Sequence, residues 1–312
     1  MIKLALVGAG IIGVEHLKAL SRCKDFELVA ICDVNEVAAS KLAAEYNVPY
    51  FLDYTQIPQK SDAEAVLLNL PHFLHRDAAV FFLEAGLDVF LEKPMAISVR
   101  ECDEMLQAAQ KSGKRLAVGH LQRFFAANRV VKDYVKNEAL GKLFAVNELR
   151  SIRYFTEKRP AWFLKKALSG GGIVMNYGAH MLDKLLYITD SDISHAVGVC
   201  GNLLPGIEVE GHAQFFVQTE SGVSATVTFS GYSKVGYETT YYFEKGSLKV
   251  TNGVALSICR DGVWEELATP ADEDFMLLQL CELAKYFRGE PSETPDGVYA
   301  KKIVAAIEQI YR

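Results

Sequence analysis

The chain has 312 residues, of which 50% are hydrophobic and 23% charged, the make-up of a globular protein with room for two domains. Its net charge of -6 gives no reason to expect nucleic acid or an anionic membrane as a partner. Six cysteines (Cys23, Cys32, Cys102, Cys200, Cys259, Cys281) are scattered without a CxxC pair, so reduced thiols in a cytoplasmic protein are expected, with no metal site. The chain enters a strand at once without a signal-peptide pattern, and no apolar run is long enough to span a bilayer.

Ile2 to Val7 reads as a buried strand, and Gly8-Ala9-Gly10-Ile11-Ile12-Gly13 follows directly, opening a helix that runs to about Ser21. This is G-x-G-x-x-G between strand and helix, where the glycines serve a dinucleotide. Gly8 permits the tight turn, Gly10 lets backbone approach a pyrophosphate, and Gly13 lets the helix pack on the sheet. The phosphates would sit at the helix N-terminus. The strand Phe26–Cys32 ends in Asp33, placed to hydrogen-bond an adenosine ribose or to cap the helix 36–46. Val34, Asn35 and Glu36 follow with no cation for a 2′-phosphate, which favours NAD over NADP.

The alternation continues. Strand 65–68 leads into Asn69-Leu70-Pro71 and a helix from His72 to Ala85; strand 88–91 leads into Glu92-Lys93-Pro94 and a helix 98–111; Arg115 to Val118 is a strand. Strands alternating with helices predict a parallel sheet with crossovers, a Rossmann dinucleotide-binding domain over 1–120. Asn69 to Pro71 are expected to touch the cofactor through backbone, and His75 is either a further contact or helix-start polarity. A charged pair such as Glu92-Lys93 is unusual at the carboxyl end of a buried strand, and that end is where open α/β sheets bind ligands.

From Leu121 the character changes. A helix 123–138, a strand 143–153 and a polar loop Thr156 to Pro160 lead to Trp162 and to Ser169-Gly170-Gly171-Gly172. From about His195 to Leu267 the chain is mostly strands, with 214–219 and 223–230 forming a hairpin around Glu220-Ser221-Gly222. Val223, Ala225, Val227 and Phe229 make one face and Ser224, Thr226, Thr228 and Ser230 the other. Helices 272–288 and 297–311 close the chain. The expected second domain, 121–312, is α+β, built on a large, mostly antiparallel sheet with one open face. That face is either solvated or a contact in a homodimer or homotetramer.

Three glycines before the helix bearing Asn176, His180 and Asp183 allow close backbone approach. At this spacing the three polar residues share one face. It could be a surface face, a metal site lacking further His or Cys ligands, or a proton-handling site, since imidazole titrates near neutral pH.

The sequence resembles the Gfo/Idh/MocA oxidoreductases over essentially its whole length. The resemblance rests on Gly8-x-Gly10-x-x-Gly13, Asp33, Pro71-x-x-x-His75, Glu92-Lys93-Pro94, Arg159-x-x-Trp162, the triple glycine and His180-x-x-Asp183. It implies an NAD-dependent oxidoreductase acting on a carbinol or carbonyl of a sugar, polyol, inositol or related small molecule in a cleft between domains. Lys93 would reach the nicotinamide and the substrate hydroxyl, and His180 would take or give the hydroxyl proton. Glu92 and Gln122 join the expected cofactor contacts; His120, Tyr154, Arg159, Trp162 and Asp183 are expected substrate contacts. The family pattern has Asp where this chain has Asn176, and an amide can hydrogen-bond a hydroxyl but cannot relay a proton. An NAD-retaining glycosidase and a non-catalytic NAD-responsive regulator are the alternative readings.

Overall fold

The structure, a computed structural model, describes residues 1–157, 159–270 and 274–312. They form two compact units, one of residues 1–120 with 274–301, the other of 121–273 with 302–312. Residues 274–301, expected to group with 121–273, cluster with the first unit.

The first unit carries six strands: β1 (Ile2–Val7), β2 (Phe26–Cys32), β3 (Tyr50–Phe51), β4 (Ala65–Leu68), β5 (Asp88–Leu91) and β6 (Leu116–Val118). All pair in parallel, in the order β3-β2-β1-β4-β5-β6. Helices α1 (Ile11–Leu20), α2 (Glu36–Tyr46), α3 (Ile57–Lys60), α4 (His75–Glu84) and α5 (Val99–Ser112) connect them. All four residues of β4 are fully buried, as expected of a strand covered on both faces. β3 and α3 were not anticipated, because two and four residues carry no readable period. Strand order reverses between β1 and β4, and that crevice is where open α/β sheets take ligands.

The second unit contains α6 (Ala126–Lys136), β7 (Leu143–Ser151), α7 (Lys166–Ser169) and α8 (Ala179–Thr189). The sheet continues through β8 (Ile193–Gly201), β9 (His212–Thr219), β10 (Ser224–Ser230), β11 (Gly236–Phe243), β12 (Gly246–Thr251), β13 (Ala255–Arg260) and β14 (Val263–Leu267). Eight strands lie in the order β14-β13-β12-β11-β7-β10-β9-β8, antiparallel except for β7 beside β10. Side chains alternate: Ala225, Val227 and Phe229 are buried while Thr226 is exposed. The open face is less polar than the hairpin alone suggested, since Phe144, Leu149, Val197, Val199 and Tyr242 are all exposed.

Two helices end the chain, α9 (Phe275–Arg288) and α10 (Gly297–Ile310). Leu280, Leu283, Ala284 and Phe287 of α9 pack with Leu17, Leu20 and Phe26 in the core of the first unit. The apolar spacing of α9 announces a buried face but not which core buries it, hence the difference from the expected domain limit. Asp274 caps α9, its carboxylate accepting from the backbone N–H groups of Met276 and Leu277 at 3.1 Å each. The expected earlier start at Asp272 lies outside the described residues, as does Lys158 of the polar loop. Among the described residues no helix is long and apolar enough to cross a membrane.

Candidate functional site

At the glycine turn each glycine has a distinct reason. Gly8 has φ +98°, and a Cβ there would lie 2.4 Å from the Asn69 carbonyl oxygen. At Gly13 a Cβ would lie 2.1 Å from the Gly8 carbonyl oxygen, so α1 could not approach the turn. Gly10 faces open space, with nothing within 4 Å of its Cβ position. Asp33 does not cap α2; Asn35 does, its side chain accepting from Ala38 N at 3.2 Å. Asp33 instead ties β2 to the turn, accepting from Ala9 N at 2.7 Å and from Asn35 N at 2.8 Å. Each carboxylate oxygen keeps a lone pair for a ribose hydroxyl. Asn69 sits beside Gly8 and Gly13 at the end of β4, and both polar atoms of its side chain are buried with no hydrogen-bond partner among the described residues. A dinucleotide fits this set: open space at Gly10, unmet amide groups at Asn69, a carboxylate at Asp33, and exposed Ile11 and Ile12 on the first turn of α1.

At the end of β5, Glu92-Lys93-Pro94 is held from both sides. The Glu92 carboxylate meets His16 Nε2 of α1 at 2.8 Å and accepts from the Lys93 N–H at 3.2 Å. Burial pushes the Glu92 carboxyl up, but the His16 hydrogen bond and the His16 and Lys93 charges outweigh it and hold it below its ordinary value. The Lys93-Pro94 bond is cis, and the Pro94 carbonyl oxygen lies 2.9 Å from His75 Nδ1, whose Nε2 is 2.8 Å from the Leu70 carbonyl oxygen. His75 is fully buried, and burial lowers its pKa against the pull of those carbonyls. Its ring thus ties the loop after β4 to the loop after β5. His16 carried no signal in the sequence; its partner is 76 residues away.

In the second unit the helix expected after the triple glycine starts as a π-turn, Val174–Gly178, before α8. Such turns redirect side chains and recur at functional sites. At Gly171 and Gly172 the chain itself fills the space. A Cβ at Gly171 would lie 2.0 Å from the Tyr311 hydroxyl, and one at Gly172 would lie 2.1 Å from the Glu210 carbonyl oxygen. The Glu210 carboxylate fills the helix start, accepting from Gly172 N at 2.8 Å, Val174 N at 2.9 Å and Tyr311 OH at 2.7 Å. Asn176 and His180 are half-buried, but Asp183 is fully buried, so the expected three-residue face does not form. Asp183 accepts from Gln122 N at 3.1 Å and from Arg123 Nη2 at 3.2 Å. Gln122 is 7% exposed, its carbonyl and side-chain oxygens taking Asn128 Nδ2 at 2.8 and 3.2 Å.

Around Asn176 and His180 the unit gathers aromatic and cationic groups. Tyr154 is fully buried, its hydroxyl without a hydrogen-bond partner among the described residues, and burial raises its phenol against the Arg159 charge. Arg159 donates to the Tyr154 carbonyl at 2.5 Å and lies over the Tyr154 ring at 3.9 Å. Trp162 stacks on Phe163 at 3.8 Å, and Phe163 also faces Arg159, at 4.9 Å. Tyr177 lies 6.3 Å from the His180 ring. In the first unit His120 is fully buried, its ring edge-on to Tyr299 at 6.3 Å.

Residues 2–120 match the model of the oxidoreductase family with an NAD-binding Rossmann fold, and residues 128–249 match the C-terminal domain of the same family. The chain belongs to the Gfo/Idh/MocA family. It is 27% identical over 232 residues, 74% of its length, to a 1-carboxy-3-chloro-3,4-dihydroxycyclohexa-1,5-diene dehydrogenase from Comamonas testosteroni, and spans 58% of that protein. With an inositol 2-dehydrogenase from Arthrobacter sp. strain FB24 it shares 27% identity over 88% of this chain and 80% of the other. Its fold matches that of an aldose–aldose oxidoreductase from Caulobacter crescentus with a TM-score of 0.90 and 24% identity, over 100% of this chain and 96% of that one.

Two further clusters in this Gfo/Idh/MocA protein had no sequence signal. Cys23, Asp25 and Cys281, scattered in sequence, bring their ligand atoms within 4.8 Å of one another. Burial pushes the Cys23 thiol up to about 11, and Asp25 is already paired with Arg288 at 2.6 Å. The second joins Glu148, Arg150 and Lys184. Lys184 Nζ donates to Glu148, to Tyr237 OH at 2.8 Å and to Thr239 Oγ1 at 2.7 Å. Burial would strip its proton, but Glu148 first, and Tyr237 and Tyr241 after it, hold the ammonium well above its ordinary value.

Proposed function

We propose that the chain is an NAD-dependent oxidoreductase that oxidises a carbinol carbon of a sugar, polyol or related small molecule, or reduces the matching carbonyl. Bound nicotinamide supplies the hydride acceptor or donor. Gly8 to Gly13, Asp33, Asn69 and the backbone of Leu70 and Pro71 hold the dinucleotide. Val34, at 90% exposure, stands where a cation would be needed for a 2′-phosphate, which favours NAD. The Lys93 ammonium polarises the substrate oxygen, and His180 takes the hydroxyl proton in oxidation or returns it in reduction. Asn176 orients a hydroxyl without relaying a proton. Arg159 and Trp162 shape the substrate pocket. Asp183 and Gln122 act through the buried knot they form with Arg123 and Asn128. The apolar open face of the eight-stranded sheet suits a second copy of the chain.

The observation that carries this reading is the double pinning of Lys93, by Glu92 and His16 on one side and by His75 through Pro94 on the other. A lysine idle on a surface needs no such support. The experiment mixes purified protein with NAD and a panel of sugars and polyols and follows NADH absorbance. NADH formation on at least one compound is expected. Net hydrolysis of glycosides without NADH would favour the NAD-retaining glycosidase, and NAD binding with neither product would favour a regulator.

A further inference from the structure

Arg150 lies on β7 opposite Tyr237 of β11 and is 8% exposed. Its guanidinium carbon sits 3.8 Å from the Tyr237 ring centroid and 5.0 Å from that of Tyr177. Among the described residues its Nε is buried with no hydrogen-bond partner, and the nearest acid, Glu148 Oε1, is 3.7 Å away, too far for a hydrogen bond. Glu148 is already committed, its other oxygen held by Lys184 Nζ and by Thr239 Oγ1 at 3.2 Å. One carboxylate therefore faces two cations in a cluster where Glu148 is 0%, Lys184 2% and Arg150 8% exposed. Among the described residues no other acid pairs with Lys184 or Arg150. Arginine cannot shed its proton to relieve the imbalance, and Lys184 is held protonated. The local charge is +1, buried, and a buried charge without a counter-charge is costly.

Tyr177, one of the two rings against Arg150, lies on the π-turn next to Asn176 and 6.3 Å from the His180 ring. The surplus charge thus stands one side chain away from the proposed proton acceptor. We infer that Arg150 binds a carboxylate of the substrate, so that the natural substrate is a hydroxylated carboxylic acid, a sugar acid or a cyclic hydroxy acid. A carboxylate supplies the single negative charge the cluster lacks, whereas a phosphate monoester would bring about -1.5 to -2. A guanidinium packed face-on against an aromatic ring keeps its edge for coplanar, two-oxygen pairing. The inference rests on the proposed function for the hydroxyl being oxidised, but the binding stands apart from turnover.

The test is calorimetric titration of NADH-loaded protein with matched pairs: glucuronate and glucose, galacturonate and galactose, quinate and myo-inositol, with glucose 6-phosphate as a further arm. At least one acid should bind about 10- to 100-fold more tightly than its neutral partner, the range expected for charge-assisted hydrogen bonds. Arg150→Met should erase that preference while leaving the affinity for the neutral member unchanged. The inference is overturned if no acid is preferred by the unaltered protein, if Arg150→Met weakens acid and neutral compound alike, or if glucose 6-phosphate binds more tightly than every carboxylate. Turnover with NAD is read in parallel. Acid binding through Arg150 without NADH formation sinks the hydride-transfer reading and leaves the carboxylate site. NADH formation on neutral members alone does the reverse.

Discussion

Glu148→Gln and Lys184→Met remove opposite ends of one buried ion pair, yet their costs should differ. Removing one partner of a buried pair costs about 3–5 kcal/mol because the other charge is stranded. Here the stranding is unequal. Glu148→Gln leaves Lys184 and Arg150 as two buried cations with no carboxylate, and its cost belongs at the upper end, about 5 kcal/mol. Lys184→Met leaves Glu148 with the guanidinium that already stands 3.7 Å away, a neutral pair, and its cost belongs at or below about 3 kcal/mol. A cooperative unit of this size loses about 2–4 °C per kcal/mol. The transition containing the sheet should therefore fall by about 10–20 °C in Glu148→Gln and by about 6–12 °C or less in Lys184→Met. Calorimetry at neutral pH reads both, with far-ultraviolet circular dichroism to verify folding. Equal losses, or a larger loss in Lys184→Met, would refute the charge count and with it the case for a surplus cation at Arg150.

The glycine turn separates cofactor space from packing. Gly13→Ala should lower the melting temperature and weaken NADH at least about tenfold by fluorescence titration, since its Cβ meets Gly8 backbone at 2.1 Å. Gly10→Ala, whose Cβ meets nothing within 4 Å, should weaken NADH comparably yet leave the cofactor-free melting temperature unchanged. His16→Asn should make stability less dependent on acid. Because Glu92 is held below its ordinary value of 4.5, its contribution is present above that pH and lost as pH falls through its folded pKa. The gap in melting temperature between the protein and His16→Asn should be full at neutral pH and should close as pH falls below 4.5 and through the lowered pKa of Glu92. Glu210→Gln should cost about 1–3 kcal/mol in urea unfolding, as one carboxylate serves Gly172, Val174 and Tyr311.

Local signals were legible. β1, β2, β4, β5 and α2 run between the residues their apolar runs and flanking turns implied, because period and capping are properties of neighbouring residues. The glycine turn was legible for the same reason, strand, turn and helix being contiguous. Interactions between distant residues were not. The Gly170-Gly171-Gly172 run looks the same in sequence whether it admits a ligand or its own Glu210 and Tyr311, and only the fold brings those two to it. Asp183 looked like an open carboxylate because helical spacing gives a face but not what covers it. Arg150 and Lys184 passed unremarked in a strand and a helix, since a count of buried charges needs burial first.

The central claim is that Lys93 acts on the reacting oxygen while the turn from Gly8 to Gly13 holds the cofactor. Lys93→Met tests it most directly, with NADH affinity and steady-state turnover measured on one preparation. Affinity should stay within about twofold while turnover falls by about 10²–10⁴-fold, the usual contribution of one placed acid–base group. Unchanged turnover on a substrate the protein oxidises would contradict the assignment.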